Sequence, residues 1–475
     1  MTKIDGDAPN LPPRVMRFWD VALFYIVTGV SLRWIATAAA AGPGSVLIWI
    51  GAFLCFYIPL AMAVLELSSR HPDEGGLYAW TRRAYGDFPG FLAGWCYWTS
   101  NLPYFPAVFY FAASNFLFVG GEQWRTLGDS PHFFMWFAFG GLALIAGLNI
   151  VGLRHARWLH NLGACGMWIP VAVVIVMGLL VWSRFGSATH FSLAAMTPRL
   201  ELKEMIFWAS LAFAFSGCET ASFMSGEIRD PRRTIPRALV TAGTIIAFCY
   251  IVGTVAILLV LPPGQIDSLA GLMQAITAAA QQLGWLWIVP AVALLITIGN
   301  LGAAGGFLAA TSRIPFAVGI DRMLPPAFGQ LHPKFGTPHV AILVQTGLGA
   351  VFVFLGQAGT SVQGAYDVLV SMGIITAFIP FVFVFLSLIR LQREPAAPDA
   401  IRVPGGRPVA VAIACLGLVT TLGSIALAML PPADEPDKPL AVAKIIGLTA
   451  VLIGIGWAVY AASKKRSRRP AAPSA

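Results

Sequence analysis

The chain has 475 residues, of which 57% are hydrophobic and only 11% charged, and its mean hydropathy is +0.74. A soluble protein carries about a quarter charged residues, so most of this surface faces something other than water. The net charge of +9 raises nucleic acid or an anionic surface as a partner; the placement of the charges removes that reading below.

The first segment, MTKIDGDAPNLPPRVMRFWD, is polar and lacks the apolar core and small-residue cleavage site of a signal peptide. Residues 1–17 read as a tail, and the first apolar run as a permanent span. Apolar runs near 18–41, 45–68, 88–119, 133–152, 159–182, 205–226, 237–261, 285–311, 338–356, 364–389, 408–430 and 441–462 predict about twelve transmembrane helices. The lipid bilayer is therefore the expected solvent. A basic tail follows from residue 463. All six cysteines fall in apolar runs and read as packing residues.

Most of the 31 Lys and Arg residues fall on alternate connections. They include Arg229, Arg232, Arg233 and Arg237, the loop group assigned Arg313, Arg322 and Lys334, and the tail's Lys464, Lys465 and Arg466. The positive-inside rule then places both termini in the cytoplasm, in a multi-pass protein of the inner (cell) membrane. It also accounts for the basic charge without nucleic acid.

Two spans contain what a plain membrane helix avoids. The first carries Val27-Thr28-Gly29-Val30-Ser31 at mid-depth with Arg33 close behind, and the sixth carries Phe215-Ser216-Gly217-Cys218-Glu219. Short segments at His71–Tyr85 and Ile266–Leu283 follow spans 2 and 7 at a comparable offset, on opposite sides. The pattern predicts two inverted five-helix units, 18–182 and 205–389, with broken first helices. Spans 11 and 12 (408–462) stand outside the repeat. Glycines in membrane helices ordinarily serve packing. Arg33 and Glu219 are costly in hydrocarbon and either face a cavity or pair with each other. A broken helix frees N–H groups on one half and C=O groups on the other, and a zwitterion needs both.

No phosphate-binding GxxxxGK[ST] loop, HExxH or GxSxG motif occurs, so neither an ATPase nor a hydrolase is indicated, and no cofactor or metal is expected. Gly29-Val30-Ser31 has no histidine within a span to act as its base. A gated channel remains as the alternative of a different class.

The string GEIRDPRRTIPRA (Gly226–Ala238) resembles the signature after the sixth helix of the amino acid–polyamine–organocation transporter superfamily. Glu66-Leu67 with Pro72 and GGLYAW (Gly75–Trp80), DRMLPPAFGQLHPKFGTP (Asp321–Pro338) and IRVPGGRP (Ile401–Pro408) resemble further segments of that family, in the same order. FYIVTG (Phe24–Gly29) is similar to its polyamine and broad amino-acid permeases. Ala270–Ala278, Val403–Arg407 and MLPPADEPD (Met429–Asp437) are similar to its glutamate/γ-aminobutyrate antiporters.

The resemblance implies an all-α integral membrane protein of the LeuT type, with a 5+5 inverted repeat plus two helices. It implies a secondary transporter, not an enzyme, moving an amino acid or related amine by alternating access; the alternative in the same class is a polyamine permease. It implies substrate contacts from Thr28, Gly29, Val30 and Ser31, Arg33, Asn101, Ser216, Gly217 and Glu219, with Phe213 and Phe307 as gating aromatics. Span 5 lacks the lysine that carries a proton in some relatives. Proton coupling or exchange is expected ahead of sodium, for which Thr311 and Ser312 are the candidate hydroxyls.

Overall fold

The structure, a computed structural model, describes residues 14–467 apart from 74, 199–200, 268–269, 322, 356–361, 396, 399 and 431–437. Most of the N-terminal tail, Arg322, the end of the MLPPADEPD stretch and the last part of the basic tail thus lie outside the described residues. The described residues are helical and contain no strand, only an isolated bridge between Met16 and Ile228. Nine of their helices are long and apolar enough to cross a membrane. A tenth span is the pair Phe18–Gly29 and Leu32–Ala41, bent by 40°. Two shorter apolar helices, Glu204–Ala214 and His339–Phe354, occupy the places of spans 6 and 9. The expected all-α membrane architecture is observed, and the segments after spans 2 and 7 form the short helices Leu77–Tyr85 and Gly271–Leu283.

The helices depart from regularity where the sequence removes a hydrogen bond. Span 2 widens into a π turn at Phe53–Tyr57, just before Pro59. Proline has no N–H for the carbonyl four residues back, and that carbonyl, on Cys55, accepts instead from the Thr420 hydroxyl of span 11 at 3.0 Å. Span 3, read from the sequence as continuous, stops at Ser100 and resumes at Tyr104. Pro103 explains the interruption, since it disfavours helix in the residue before it.

Lipid supplies no hydrophobic drive between helices, so contact rests on close backbone approach. Spans 5 (Leu153–Phe185) and 8 (Ile288–Ile320) meet through facing glycines: a Cβ on Gly163 would lie 2.7 Å from the Gly302 Cα. Spans 11 and 12 form the lipid-exposed flank. Only 28% and 18% of their apolar windows are buried, against 67% for span 7.

Connections on the basic side tie distant parts of the chain together. The buried Glu66 carboxylate accepts from Arg70 Nε at 2.6 Å, Gln392 Nε2 at 2.7 Å and the Val403 amide at 2.9 Å. Asp321 accepts from the Tyr78 hydroxyl and pairs with Arg82, both at 2.5 Å. One position departs from the sequence reading. Arg313, assigned to a loop, sits inside the helix of span 8 and is fully buried, because Glu227 offers it a carboxylate 2.7 Å away.

Replacing Gly302 by Val should cost the fold at least about 1–3 kcal/mol, because two backbones cannot separate cheaply. Gly140→Ala, where nothing lies within 4 Å of the new Cβ, should be neutral. Detergent thermal-stability measurements on the two variants check the contrast.

Candidate functional site

The two broken spans cross at mid-molecule. In span 1, helix Phe18–Gly29 ends, Val30 and Ser31 adopt extended backbone, and a second helix begins at Leu32. In span 6, helix Leu202–Ala214 ends, and the chain turns through Phe215–Glu219 into the 3₁₀ helix Thr220–Glu227. Gly217 has φ +113°, a conformation that disfavours a side chain. A Cβ there would also lie 3.1 Å from the Thr28 carbonyl oxygen, so the breaks touch backbone to backbone. Gly29 serves packing: its Cβ would lie 2.5 Å from Ile246.

Side chains from other spans satisfy the freed backbone. The Tyr250 hydroxyl of span 7 accepts from the Ser31 amide at 3.0 Å. It lies 2.8 Å from the Gly29 carbonyl and 2.9 Å from that of Ala214, to either of which it can donate. One hydroxyl thereby binds both breaks. Trp49 fixes the ring by stacking on it at 4.4 Å, and is itself held by Nε1 donating to Thr254 at 3.0 Å. The hydroxyls of Thr28 and Thr220 share a hydrogen bond of 3.1 Å across the same junction.

Glu219 is fully buried. Its carboxylate accepts from the Gly217 amide at 3.1 Å and from the Tyr97 hydroxyl, with the Cys218 thiol 3.6 Å away. All these groups are donors, the environment suited to a carboxylate. Arg33 is not a hydrogen-bond partner of Glu219, so the expected alternative of a pair between them is not what the structure contains. The Arg33 guanidinium instead lies 4.1 Å from the ring centre of Trp34.

A cavity of about 100 Å³ opens at the crossing. That is several times the roughly 10–15 Å³ needed by one water. Thr28, Gly29, Val30, Ser31, Arg33, Asn101, Phe213, Ser216 and Phe307 all line it. Gly217 and Glu219 do not. Gly217 supplies the turn, and Glu219 sits behind Tyr97, whose ring forms part of the wall. Asn101 Nδ2 donates to the Tyr97 carbonyl at 2.7 Å and to Ser100 Oγ at 3.4 Å, at the end of the first half of span 3. Phe213 meets Trp34 edge-on at 6.3 Å, and Phe307 packs on Tyr104 at 4.7 Å.

Tyr97, Tyr104, Trp34 and Asn300 also line the cavity, although the sequence reading did not single them out. Pro103 was the available signal for the span 3 contribution. Nothing local marks Tyr250, which reaches the site only by tertiary packing. Of the two sodium candidates, Thr311 donates to the Phe307 carbonyl at 2.6 Å, and the Ser312 hydroxyl lies 3.1 Å from Arg313 Nη1.

A cavity between two broken helices, in a bundle of this size, is the architecture of a multi-span transporter rather than an enzyme. The comparisons with known proteins make this specific. Residues 16–454 match the family described as amino acid permease, and the chain belongs to that family. It is 25% identical over 462 residues to a protein of Legionella pneumophila named as an uncharacterized transporter, covering 94% of this chain and 97% of the other. It is 26% identical to a serine/threonine exchanger of Bacillus subtilis, over 70% of this chain and 72% of that one. To a probable agmatine/putrescine antiporter of Lactococcus lactis it is 23% identical, over 83% and 84%.

Tyr250→Phe removes the hydroxyl and leaves the Ser31 amide and whichever of the two carbonyls it serves short of a partner. The expected loss is about 1–3 kcal/mol of stability, with uptake falling further than stability does. Melting temperature and initial uptake rate, measured on the same preparation, check both.

Proposed function

We propose that this permease carries an amino acid, or a closely related amine, by alternating access, with the cavity at the crossing as its binding site. The observation that carries the reading is the polarity of three of the half-helices. The helix beginning at Leu32 presents a positive N-terminal end to the cavity, and those ending at Gly29 and Ala214 present carbonyls. A carboxylate suits the first and an ammonium the second. The lining residues supply side-chain contacts, with Phe213 and Phe307 as aromatic gates. The relatives' names span serine/threonine exchange and agmatine/putrescine antiport, which supports amino acids and amines as the substrate range. Arg33 in the wall favours a carboxylate-bearing substrate over a dicationic one.

Proton coupling or exchange fits the site better than sodium coupling. Ser312 lies beside a guanidinium, a poor neighbour for a cation, whereas Glu219 offers a carboxylate tied to the cavity wall through Tyr97. The chain is assigned to the cell membrane with both termini in the cytoplasm, and its ten-helix core to two inverted five-helix units, 18–182 and 205–389. Counter-flow in proteoliposomes, screened over amino acids and polyamines, tests the substrate. Non-saturating flux without counter-flow would favour a channel.

Glu219→Gln keeps the shape but turns an acceptor-only group into a part donor facing the Gly217 amide and the Tyr97 hydroxyl. Near-normal protein level, transport reduced about tenfold or more, and an altered pH profile are expected. Wild-type rate with an unchanged profile would remove Glu219 from the mechanism.

Arg33→Ala should weaken carboxylate-bearing substrates more than amines, by about 1.5–3 kcal/mol for a lost charge-assisted bond. Competition of each substrate class against one labelled substrate measures the difference.

A further inference from the structure

Phe24, Thr220, Phe223 and Met224, on the parts of spans 1 and 6 that run from the breaks to the basic connections, are fully buried and do not line the cavity. There the 3₁₀ helix Thr220–Glu227 and the first half of span 1 lie against span 8. These elements are held together unevenly. The Glu227 carbonyl accepts from the Val15 and Met16 amides at 2.9 and 3.0 Å, and the Arg229 amide donates to the Met16 carbonyl at 2.9 Å. The entry to span 1 is therefore fastened to the end of span 6, and the two must move together.

The tie from this unit to span 8 is of another kind. Glu227 Oε1 accepts from Arg313 Nε at 2.7 Å, with the two side chains 4% and 0% exposed. Span 8 itself is anchored through the glycine contacts with span 5. Arg313 also donates through Nη1 to the Ala309 carbonyl at 2.7 Å and has Ser312 Oγ at 3.1 Å, while Nη2 is buried without a hydrogen-bond partner among the described residues. A buried ion pair with a donor left over is a poor way to gain stability, and the best-attested use of such pairs is as a register or switch element. The geometry suits a switch. When Glu227 withdraws, Arg313 keeps two acceptors on its own helix, and Glu227 moves toward the side where water is. The segment carrying Glu227 is 3₁₀ with a kink at Met224, a weaker backbone than the α-helix it faces.

We propose that the buried Arg313–Glu227 pair is a latch that holds the inner half of span 6, with the entry to span 1, against span 8, and that it must part for the cavity to open on the basic side. This rests on the alternating-access reading above. It goes beyond it by naming the contact that sets the balance between the two orientations.

The test uses the full chain in proteoliposomes with Thr220→Cys as reporter. Residue 220 is fully buried and is bonded to Thr28 of the cavity wall. A membrane-impermeant thiol reagent is added from the basic side without substrate, and modification of residue 220 is followed by peptide mass spectrometry. Glu227→Gln and Arg313→Gln should each speed labelling about tenfold or more, and the double variant should add little, because both remove the same contact. In transport, the same variants should raise KM for entry from the opposite face. Unchanged labelling in either folded variant would overturn the latch, as would a lower melting temperature with an unchanged labelling rate. Should the neutral variants fail to reach the membrane, Glu227→Asp shortens the side chain and keeps its charge. It should give an intermediate rise, and no rise there also overturns the proposal. Labelling needs no substrate, so a failed counter-flow screen would count against the transport reading and leave this result standing.

Discussion

A helix that breaks in mid-membrane exposes amide and carbonyl groups that lipid cannot satisfy, at several kcal/mol each. The centre of this molecule is arranged around that constraint. Tyr250 places one hydroxyl where it meets the Ser31 amide and the carbonyls of Gly29 and Ala214. Glu219 takes the Gly217 amide, and Thr28 and Thr220 close the junction. The breaks can exist only because they lie together and share these partners. Sharing them leaves a cavity at the crossing, with polar groups set in a mostly apolar lining.

Around that point the structure divides into stiff and yielding parts. Spans 5 and 8 approach so closely at Gly163 and Gly302 that neither can slide without a backbone clash. The half-helices on either side of the breaks are tied, besides their apolar packing, by hydroxyls, one carboxylate and one buried ion pair. Polar ties of this sort can be exchanged for water, whereas interlocked backbone cannot.

The segments that resemble the family signature acquire a physical meaning in three dimensions. Glu66 of one segment accepts from the Val403 amide of another, and Tyr78 of the GGLYAW stretch donates to Asp321, which opens the DRMLPP run. Glu227, in GEIRDP, meets Arg313. Residues 86 to 337 positions apart are thus paired on the basic side. Such pairings were not legible one segment at a time, because each segment alone reads as a helix end with charge around it.

Composition, apolar run length and the charge bias of the connections determined that this is a many-span helical membrane protein, because the bilayer imposes one length and one polarity on every span. Gly29, Gly217, Arg33 and Glu219 marked the two breaks, since those residue types are expensive at mid-depth unless they are needed there. Tertiary structure alone decided what the markers do. It put Arg33 in the cavity wall and Glu219 behind Tyr97. It drew Arg313 out of a presumed loop into the core, and it supplied Tyr250 from span 7. The reason is that a buried polar group is tolerated only beside a complementary one, and its complement here stands on a different helix, at a depth and rotation that no local pattern encodes.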